Sequence, residues 1–142
     1  MKTVKQLLEG KKTGVLSISP DALVVDALRT MAEHDVGALV VLQGEKLVGI
    51  ISERDYARKV VLQGRTARDT YVREIMTEKV VFMKLSHTVD ECMAVCTNKR
   101  IRHLPVMEGN RVVGVISIGD LVKETISEQQ YIIEQLEHYI MS

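Results

Sequence analysis

The heptapeptide GIISERD, from Gly49 to Asp55, occurs a second time as GVISIGD, from Gly114 to Asp120. Both copies contain a glycine, a short apolar run, a serine, and an aspartate three residues after the serine. The two glycines are 65 positions apart (114 − 49), and the same offset aligns the chain without a gap from Val15 through Asp55. Self-similarity at a fixed period indicates a duplicated structural unit. Two copies are too few for a solenoid, so we expect a pair of repeats related by a pseudo-twofold axis.

Each repeat is predicted to follow the order β-α-β-β-α. After a short β-rich piece, apolar residues recur at i, i+3, i+4, i+7 and i+8, as on one face of an amphipathic helix. In the first repeat these residues are Val24, Ala27, Leu28, Met31 and Ala32. Two β-branched runs follow, joined by a glycine-containing turn that is typical of a hairpin, and a second helix begins at or just after the serine. The sequence therefore predicts an α/β fold of the α+β type, with repeat 1 and its N-terminal lead-in in residues 1–67 and repeat 2 in residues 68–142.

The segment after Asp120 departs from the repeat. Its helical pattern continues to the end of the chain without a glycine or proline, and Ile132, Leu136 and Tyr139 or Ile140 form an apolar stripe. We expect this extended C-terminal helix to reach beyond the domain and to contact something else, most simply a second copy of itself.

Two further features recur in both copies. A related lead-in precedes each repeat, VKQLL at Val4–Leu8 and VREIM at Val72–Met76, at an offset of 68 (72 − 4). Gly49 and Gly114 fall inside predicted strands, where glycine is costly unless a backbone or a ligand approaches closely. The interpretation of the repeated motif as a ligand site starts from these two glycines.

The composition argues against several classes of protein. The chain has 142 residues, of which 46% are hydrophobic, with 19 basic and 19 acidic residues. A zero net charge disfavours a general binder of nucleic acids or membrane surfaces, although a few local arginines could still hold a small anionic ligand. No apolar run approaches the roughly 18 residues of a membrane span, and the N-terminus has no apolar signal-peptide region. These features predict a cytoplasmic protein without nucleic-acid or membrane partners.

The S-x-x-D spacing admits two interpretations. It fits a capping box, in which Ser52 or Ser117 caps a helix and the aspartate accepts a hydrogen bond from the amide of that serine. It also fits a ligand site, because a strand that ends at a helix N-terminus presents free amides to an anion, and a carboxylate suits the hydroxyls of a ribose. In the first copy Arg54 and Arg58 are four residues apart on one helix face, where they could reach phosphate oxygens.

Cys92 and Cys96 are four residues apart on a predicted helix, which could suit a metal or redox pair. At the 65-residue offset they align with Ala27 and Met31 on the predicted buried stripe, so small buried hydrophobes are the better interpretation. Zinc would need two further ligands, and the histidines lie in other elements. No Ser/His/Asp or Cys/His arrangement is apparent, and His103 is better explained as a groove residue than as a catalytic one. We therefore predict neither catalytic residues nor a metal site.

The doubled pattern resembles the cystathionine-β-synthase (CBS) domain, which occurs in tandem pairs. The resemblance is clearest in RIRHLPVMEGNRVVGVISIGDL, residues 100–121, and in VREIMTEKVVFMKLSHTVDECM, residues 72–93, while the more divergent first copy keeps GIISERD. The likeness covers almost the entire chain. It implies a regulatory module that binds an adenosine-containing molecule (AMP, ADP, ATP, NAD(H) or S-adenosylmethionine) in clefts between the repeats, without a catalytic cofactor, and we favour an adenine nucleotide such as AMP or NAD(H). Similarity to stand-alone bacterial pairs implies a homodimer in the form of a disc of four repeats.

The resemblance also implies roles for individual residues. Asp55 and Asp120 would bind ribose hydroxyls, and Ser52 and Ser117 would lie near the ribose or phosphate. The start of each second strand would contact the base, and the first strands would help to enclose it. With Arg54 and Arg58 added from their spacing, the expected nucleotide-binding residues are Val15, Gly37, Ala38, Ser52, Arg54, Asp55, Arg58, Val80, Arg102, His103, Pro105, Ser117, Ile118 and Asp120.

The two copies differ at positions that would contact a ligand. The first has Glu53-Arg54 before its aspartate where the second has Ile118-Gly119, and Arg102-His103 in the second copy replaces Gly37-Ala38 in the first. We therefore expect two unequal sites, or one site that draws residues from both copies.

The alternatives to a nucleotide-binding module are a purely structural interaction module whose motifs only cap helices and, less favoured, a nucleotide-processing enzyme. The sequence does not identify the client protein of a sensor.

Overall fold

The computed structural model describes residues 2–11 and 14–141, and in it the two predicted repeats each have their own sheet and core. The elements of the first half are α1 (Val4–Glu9), β1 (Ser17–Ile18), α2 (Val24–His34), β2 (Ala38–Gln43), β3 (Lys46–Ser52), α3 (Glu53–Tyr56), a π-helical segment (Ala57–Val61) and a 3₁₀ turn (Ala67–Asp69). Those of the second half are α4 (Val72–Ile75), β4 (Met83–Lys84), α5 (Val89–Lys99), β5 (His103–Glu108), β6 (Arg111–Ser117) and α6 (Ile118–Met141). The predicted β-α-β-β-α order is confirmed.

The two sheets have the same topology. In each, the short first strand pairs parallel with the second, which pairs antiparallel with the third through a two-residue turn. Gly44 and Gly109 occupy these turns with positive φ angles of 63° and 61°, a conformation that glycine adopts at little cost. The first strands are much shorter than the β-rich runs that predicted them, because only two residues of each run pair with the neighbouring strand.

The apolar stripes of α2 and α5 form the two cores. Val24, Ala27 and Met31 are buried against the first sheet, while Cys92 and Cys96 are buried against the second. The interpretation of the cysteines as small buried hydrophobes is confirmed, and both thiols are free. Burial, aided by the neighbouring Cys96 thiol, raises the pKa of Cys92 to about 11.

The lead-in helices cross over between the repeats. Helix α1 precedes repeat 1 in sequence, yet Val4 is fully buried in the core of repeat 2, and its amide donates to His87 O at 2.8 Å. Helix α4 makes the reciprocal contact, because Val72 and Ile75 are buried in the core of repeat 1 and the Val72 amide donates to Ala22 O at 2.8 Å. The predicted division at residue 67 follows the order of the chain, whereas the packing places α1 with the second repeat.

The strand glycines make this crossing possible. A β-carbon on Gly49 would lie 2.7 Å from Met76 Sδ and 3.0 Å from Thr77 O, and one on Gly114 would lie 2.6 Å from Leu8 Cδ2. The close approach at each glycine is therefore made by the protein and not by a ligand, through the side chains of Met76 and Leu8 and, at Gly49, also through the Thr77 backbone. Interior glycines in strands commonly mark such approaches.

The helices that follow the two motifs differ in length. After Ser52 a single α-helical turn passes into the π-helical segment, whereas α6 continues without interruption for 24 residues. The distal part of α6 is exposed, including Ile132, Leu136, Tyr139 and Ile140, as the predicted extension beyond the domain requires. Within the described ranges, no helix is long and apolar enough to span a membrane.

Candidate ligand-binding clefts

Both S-x-x-D motifs form the reciprocal hydrogen bonds of a capping box. The Ser52 amide donates to Asp55 Oδ2 at 2.9 Å, and the Asp55 amide donates to Ser52 Oγ at 3.2 Å. In the second copy the Ser117 amide donates to Asp120 Oδ2 at 2.8 Å, and the Asp120 amide donates to Ser117 Oγ at 3.1 Å. The capping interpretation is therefore confirmed for both motifs, and it leaves the second oxygen of each carboxylate for other contacts.

The first cleft lies between the repeats and has a volume of about 330 Å³. Its lining includes nine of the residues predicted to bind a nucleotide: Gly37, Ser52, Arg54, Asp55, Arg58, Val80, Arg102, His103 and Pro105. The motif of repeat 1 lines this cleft together with two segments of repeat 2, one that follows the lead-in (77–81) and one at the start of β5 (100–105). Residues of both copies therefore line this cleft, which was one of the two arrangements expected from the sequence.

The first cleft is strongly basic. Five basic residues line it, against the two carboxylates of Glu53 and Asp55, and they are Arg54, Arg58, Lys79, Arg100 and Arg102. Arg54 also bridges the repeats, because its Nη1 donates to Arg100 O at 3.1 Å. Arg58 lies in the π-helical segment and not on a regular α-helix, yet it still lines the same cleft as Arg54.

The second cleft has a volume of about 320 Å³ and is built from the opposite combination of elements. Among the predicted residues, Gly37, Ala38, His103, Ser117 and Asp120 line it. Gly37 and His103 thus line both clefts. Two predicted residues, Val15 and Ile118, line neither, although the neighbours of Val15 in the chain, Gly14 and Leu16, line the second.

Asp55 is already saturated with hydrogen-bond donors. Its Oδ2 accepts from the Ser52 amide and from Ser52 Oγ, while its Oδ1 accepts from Thr77 Oγ1 at 3.3 Å and lies 3.1 Å from Lys59 Nζ. A carboxylate offers about four acceptor positions, so the protein itself occupies all of them. Thr77 lines the cleft, whereas Lys59 reaches the carboxylate from outside it and also donates to Ile75 O at 2.8 Å.

Asp120 has a different environment. Its Oδ2 accepts from the Ser117 amide and from Lys11 Nζ at 2.8 Å, and Lys11 Nζ also donates to Val115 O at 2.6 Å. Oδ1 accepts no hydrogen bond from any residue that the structure describes. Burial opposes ionisation, but the bonds from Lys11 and the Ser117 amide outweigh it and lower the pKa of Asp120 below its ordinary value. Lys11 itself lines the second cleft.

His103 separates the two clefts. Its Cε1 and Nε2 atoms lie 3.5 Å from where a β-carbon on Gly37 would be, which is ordinary van der Waals contact, while Glu53 Oε1 would be closer at 3.0 Å. Burial, together with the positive charges of Lys11 and Arg102, lowers the pKa of His103, while Asp120 acts in the opposite direction. The imidazole is therefore neutral at neutral pH, with one nitrogen available to accept a hydrogen bond.

Sequence reasoning missed several residues that line the clefts, above all Lys11, Thr77, Lys79 and Arg100. A signal for two of them was present, because the lead-in offset of 68 places Lys11 on Lys79 (11 + 68), and each lysine lines one cleft. Among the described residues, no group of three or more His, Cys, Asp or Glu side chains could hold a metal ion.

Two β-α-β-β-α repeats with crossed lead-ins, and with paired S-x-x-D motifs at the clefts between them, define a tandem-repeat α/β module. The family model described as "CBS domain" matches residues 4–62 and 72–127, and the chain belongs to this family as a CBS pair. The resemblance seen in the sequence is confirmed.

Solved structures and curated relatives agree with this assignment. The crystal structure of the CBS domain NE2398 is 49% identical, covers 88% of this chain and 98% of its own, and has a TM-score of 0.85. The mitochondrial CBS domain-containing protein CBSX3 of Arabidopsis thaliana is 42% identical over 125 residues, which are 84% of this chain and 61% of that protein. The chain therefore spans less than two thirds of the Arabidopsis relative.

A more distant structure contains bound ligands. The CBS domain pair of protein MJ0100, in complex with 5′-methylthioadenosine and S-adenosyl-L-methionine, is 22% identical and has a TM-score of 0.80 over 90% of this chain and 98% of that one. At this identity the likeness shows the fold alone.

Proposed function

We propose that this CBS pair is a non-catalytic regulatory module that binds a phosphorylated adenine nucleotide, AMP or NAD(H), in the first cleft. The observation that carries the proposal is the set of five basic residues around Asp55 in one cleft between the repeats. Arginines bind phosphate oxygens through charge-assisted hydrogen bonds, and an adjacent carboxylate can accept hydrogen bonds from a ribose diol. The MJ0100 complex supports adenosine as the class of ligand.

The charge of the first cleft favours a phosphate over a sulfonium. S-adenosylmethionine places a positive sulfur beside the ribose, where Arg54 and Arg58 would repel it. A nucleotide places its phosphate there instead. We therefore expect AMP and NAD to bind more tightly than S-adenosylmethionine, whatever the preference of MJ0100.

Binding of a ribose requires a small rearrangement at Asp55. Because the acceptor positions of its carboxylate are filled, a ribose hydroxyl has to replace one of the present donors. The Thr77 hydroxyl is the candidate, since it is the donor to Oδ1 that lines the cleft and its bond is long at 3.3 Å. Lys59 can remain in place, because it approaches from outside the cleft.

Calorimetric titration of AMP, NAD and S-adenosylmethionine tests the proposal. Arg58→Gln should weaken AMP binding by about 10- to 100-fold, the equivalent of the roughly 1.5–3 kcal/mol of a charge-assisted bond. Arg68→Gln is the matched control, because Arg68 is exposed on the 3₁₀ turn and does not line either cleft. If neither nucleotide binds, or if the two variants behave alike, the proposal fails and the motifs act as helix caps in an interaction module.

We further propose that α6 pairs with α6 of a second copy. The exposed residues Val122, Ile126, Ile133, Leu136 and Ile140 follow the alternating spacing of a heptad seam, with isoleucine at the three a positions. The d positions are Val122, Gln129 and Leu136, and isoleucine at a with leucine at d, as at Ile133 and Leu136, favours two parallel strands. Gln129 occupies the middle d position, and a polar residue in a seam specifies register. The disc of four repeats implied by the family resemblance would use other surfaces of the same dimer.

Sedimentation velocity tests the pairing of α6. Leu136→Glu places a carboxylate in the seam and should yield a monomer, whereas Gln135→Glu places the same group at an adjacent position outside the seam and should leave a dimer. A dimer that survives Leu136→Glu would assign self-association to another surface.

Helix α6 could also report occupancy to a client protein, because it begins at the second motif and continues out of the domain. Hydrogen exchange in α6 that does not change on addition of AMP would contradict this role.

A nucleotide-processing activity remains the less favoured alternative, and product analysis after incubation with ATP or NAD would reveal it. We place the protein in the cytoplasm from its sequence, while the Arabidopsis relative is named as mitochondrial.

A further inference from the structure

The Lys11 ammonium group lies against the motif aspartate of the second cleft. It lies 2.8 Å from Asp120 Oδ2 and 2.6 Å from Val115 O, and both the lysine and the aspartate side chains are 29% exposed. Lys11, Val115 and Asp120 all line the cleft. The ammonium group therefore occupies one oxygen, Oδ2, of the carboxylate that a ribose would use, while Oδ1 accepts no hydrogen bond from a described residue.

In the first motif the lysine that pairs with the aspartate lies outside the cleft. Lys59 lies 3.1 Å from Asp55 and donates to a main-chain oxygen, that of Ile75, as Lys11 does to that of Val115. Lys59, however, is not among the residues that line the first cleft. Each motif aspartate thus carries one lysine, and only in the second copy does this lysine lie inside the cleft.

We propose that Lys11 determines the occupancy of the second cleft, because its ammonium group holds Asp120 Oδ2 and leaves only Oδ1 for the two ribose hydroxyls of an adenine nucleotide. The inference rests on the proposed function. A neutral hydroxyl that replaces this ammonium exchanges a charge-assisted bond for a weaker neutral one. It also leaves the Val115 carbonyl without its lysine partner. The pair loads unequally: the first cleft fills at low nucleotide concentration, and the second fills only when Lys11 is displaced.

The remaining charges of the second cleft support this inequality. Its lining, within the described residues, includes Lys11, His34 and His103 against Asp35 and Asp120, and it includes no arginine. The first cleft has four arginines and Lys79 against the two carboxylates of Glu53 and Asp55. A phosphate group therefore contributes much less binding free energy in the second cleft. That contribution would have to offset the free-energy cost of displacing Lys11.

The lowered pKa of Asp120 is consistent with a stable ion pair. Burial alone would favour the neutral acid, yet the hydrogen bond from Lys11 and the one from the Ser117 amide keep the carboxyl ionised. At neutral pH Asp120 is therefore ionised, and its bond with the Lys11 ammonium group is an ion pair.

Calorimetric titration with AMP tests the proposal through the number of sites per chain. Lys11→Met keeps the aliphatic stem and removes the ammonium group, so the second site should tighten about 10-fold or more, in line with loss of a charge-assisted competitor. The titration should then approach two AMP per chain at concentrations where the wild type binds one. Lys59→Met is the matched control, because it removes the corresponding ion pair from outside the first cleft and should leave the number of sites unchanged. Lys11→Gln provides a second variant if Lys11→Met unfolds, and thermal melting verifies folding.

The outcomes distinguish this inference from the proposed function. Two equal sites in the wild type, or a second site that Lys11→Met leaves unchanged or weakens, would overturn the role of Lys11 and leave the first cleft intact. A weakened second site would make Lys11 a phosphate ligand instead of a competitor. AMP binding by neither the wild type nor either Lys11 variant would overturn both proposals.

Discussion

Leu8 lies so close to Gly114 that a β-carbon on this glycine would be 2.6 Å from Leu8 Cδ2. The contact joins the first helix of the chain to its last strand, and Met76 makes the equivalent contact with Gly49. Each sheet is therefore covered by the lead-in that does not directly precede it in sequence. Because the two cores share their lead-ins in this way, we expect the pair to unfold in one cooperative transition and not as two independent halves.

Gly114→Ala tests the crossed packing. The added methyl group meets the Leu8 side chain, and overpacking of this kind costs roughly 1–3 kcal/mol of the free energy of unfolding. Removal of the obstruction in Leu8→Ala/Gly114→Ala should cost less than the sum of the two single changes, because the residues are in contact. Gly14→Ala is the control, since no atom lies within 4 Å of its added β-carbon. Urea denaturation measures the wild type and the four variants, and additive costs would contradict the contact.

Asp55→Ala should destabilise the fold more than Asp120→Ala. Either change removes a helix cap, which contributes about 0.5–2 kcal/mol. The Asp55 side chain is 12% exposed against 29% for Asp120, and its loss also leaves Thr77 and Lys59 without their carboxylate partner. Asp120→Ala leaves only Lys11 without its carboxylate partner, so we expect the larger loss at Asp55, where the carboxylate is more buried and accepts from more donors. Asp21→Ala, at a largely exposed position, serves as the control in urea denaturation. If Asp120→Ala lost as much stability as Asp55→Ala, or more, burial of the aspartate would not determine which of the two changes is more destabilising.

His103 should make the fold less stable in mild acid. The unfolded imidazole takes up a proton as the pH falls below about 6.5, whereas burial and the charges of Lys11 and Arg102 keep the folded pKa lower. Because the unfolded state binds more protons in this interval, stability that is present above pH 6.5 is lost as the pH falls towards the folded pKa. His103→Gln should flatten this dependence in urea denaturation series. His138→Gln, on the exposed part of α6, should retain the slope, and an unchanged slope in His103→Gln would refute the assignment.

Cys92 should react slowly with maleimides in the folded protein. The thiolate is the reactive species, and burial raises the pKa of this thiol to about 11 while also excluding the reagent. We expect native labelling at mildly alkaline pH to be much slower than labelling in concentrated urea, where both cysteines are accessible. Mass spectrometry after timed quenching measures the two rates. Rapid modification of Cys92 in the native protein would indicate an opening of the second core.

The duplication, the order of elements and the buried faces followed from local patterns in the sequence. The helical stripe that contains Val24 and Met31 has the 3.6-residue period that a buried helix face imposes, and the hairpins carry their turn glycines at Gly44 and Gly109. The extension of α6 was likewise visible, because a helix that continues needs only the absence of breakers. Strand β1 was overestimated, since its length depends on pairing with β2 and not on its own composition.

The tertiary structure alone decided which lead-in covers which sheet and from which side a lysine reaches each aspartate. The two S-x-x-D motifs are nearly identical in sequence, and both form capping boxes, because a cap depends on residues three apart. The partner of Asp120 is Lys11, more than a hundred positions away and brought there by the crossing of α1, whereas Asp55 pairs with Lys59 only one turn along its own helix. Local spacing could predict the carboxylates, but the charges that face them from across the molecule arise only when the lead-ins cross.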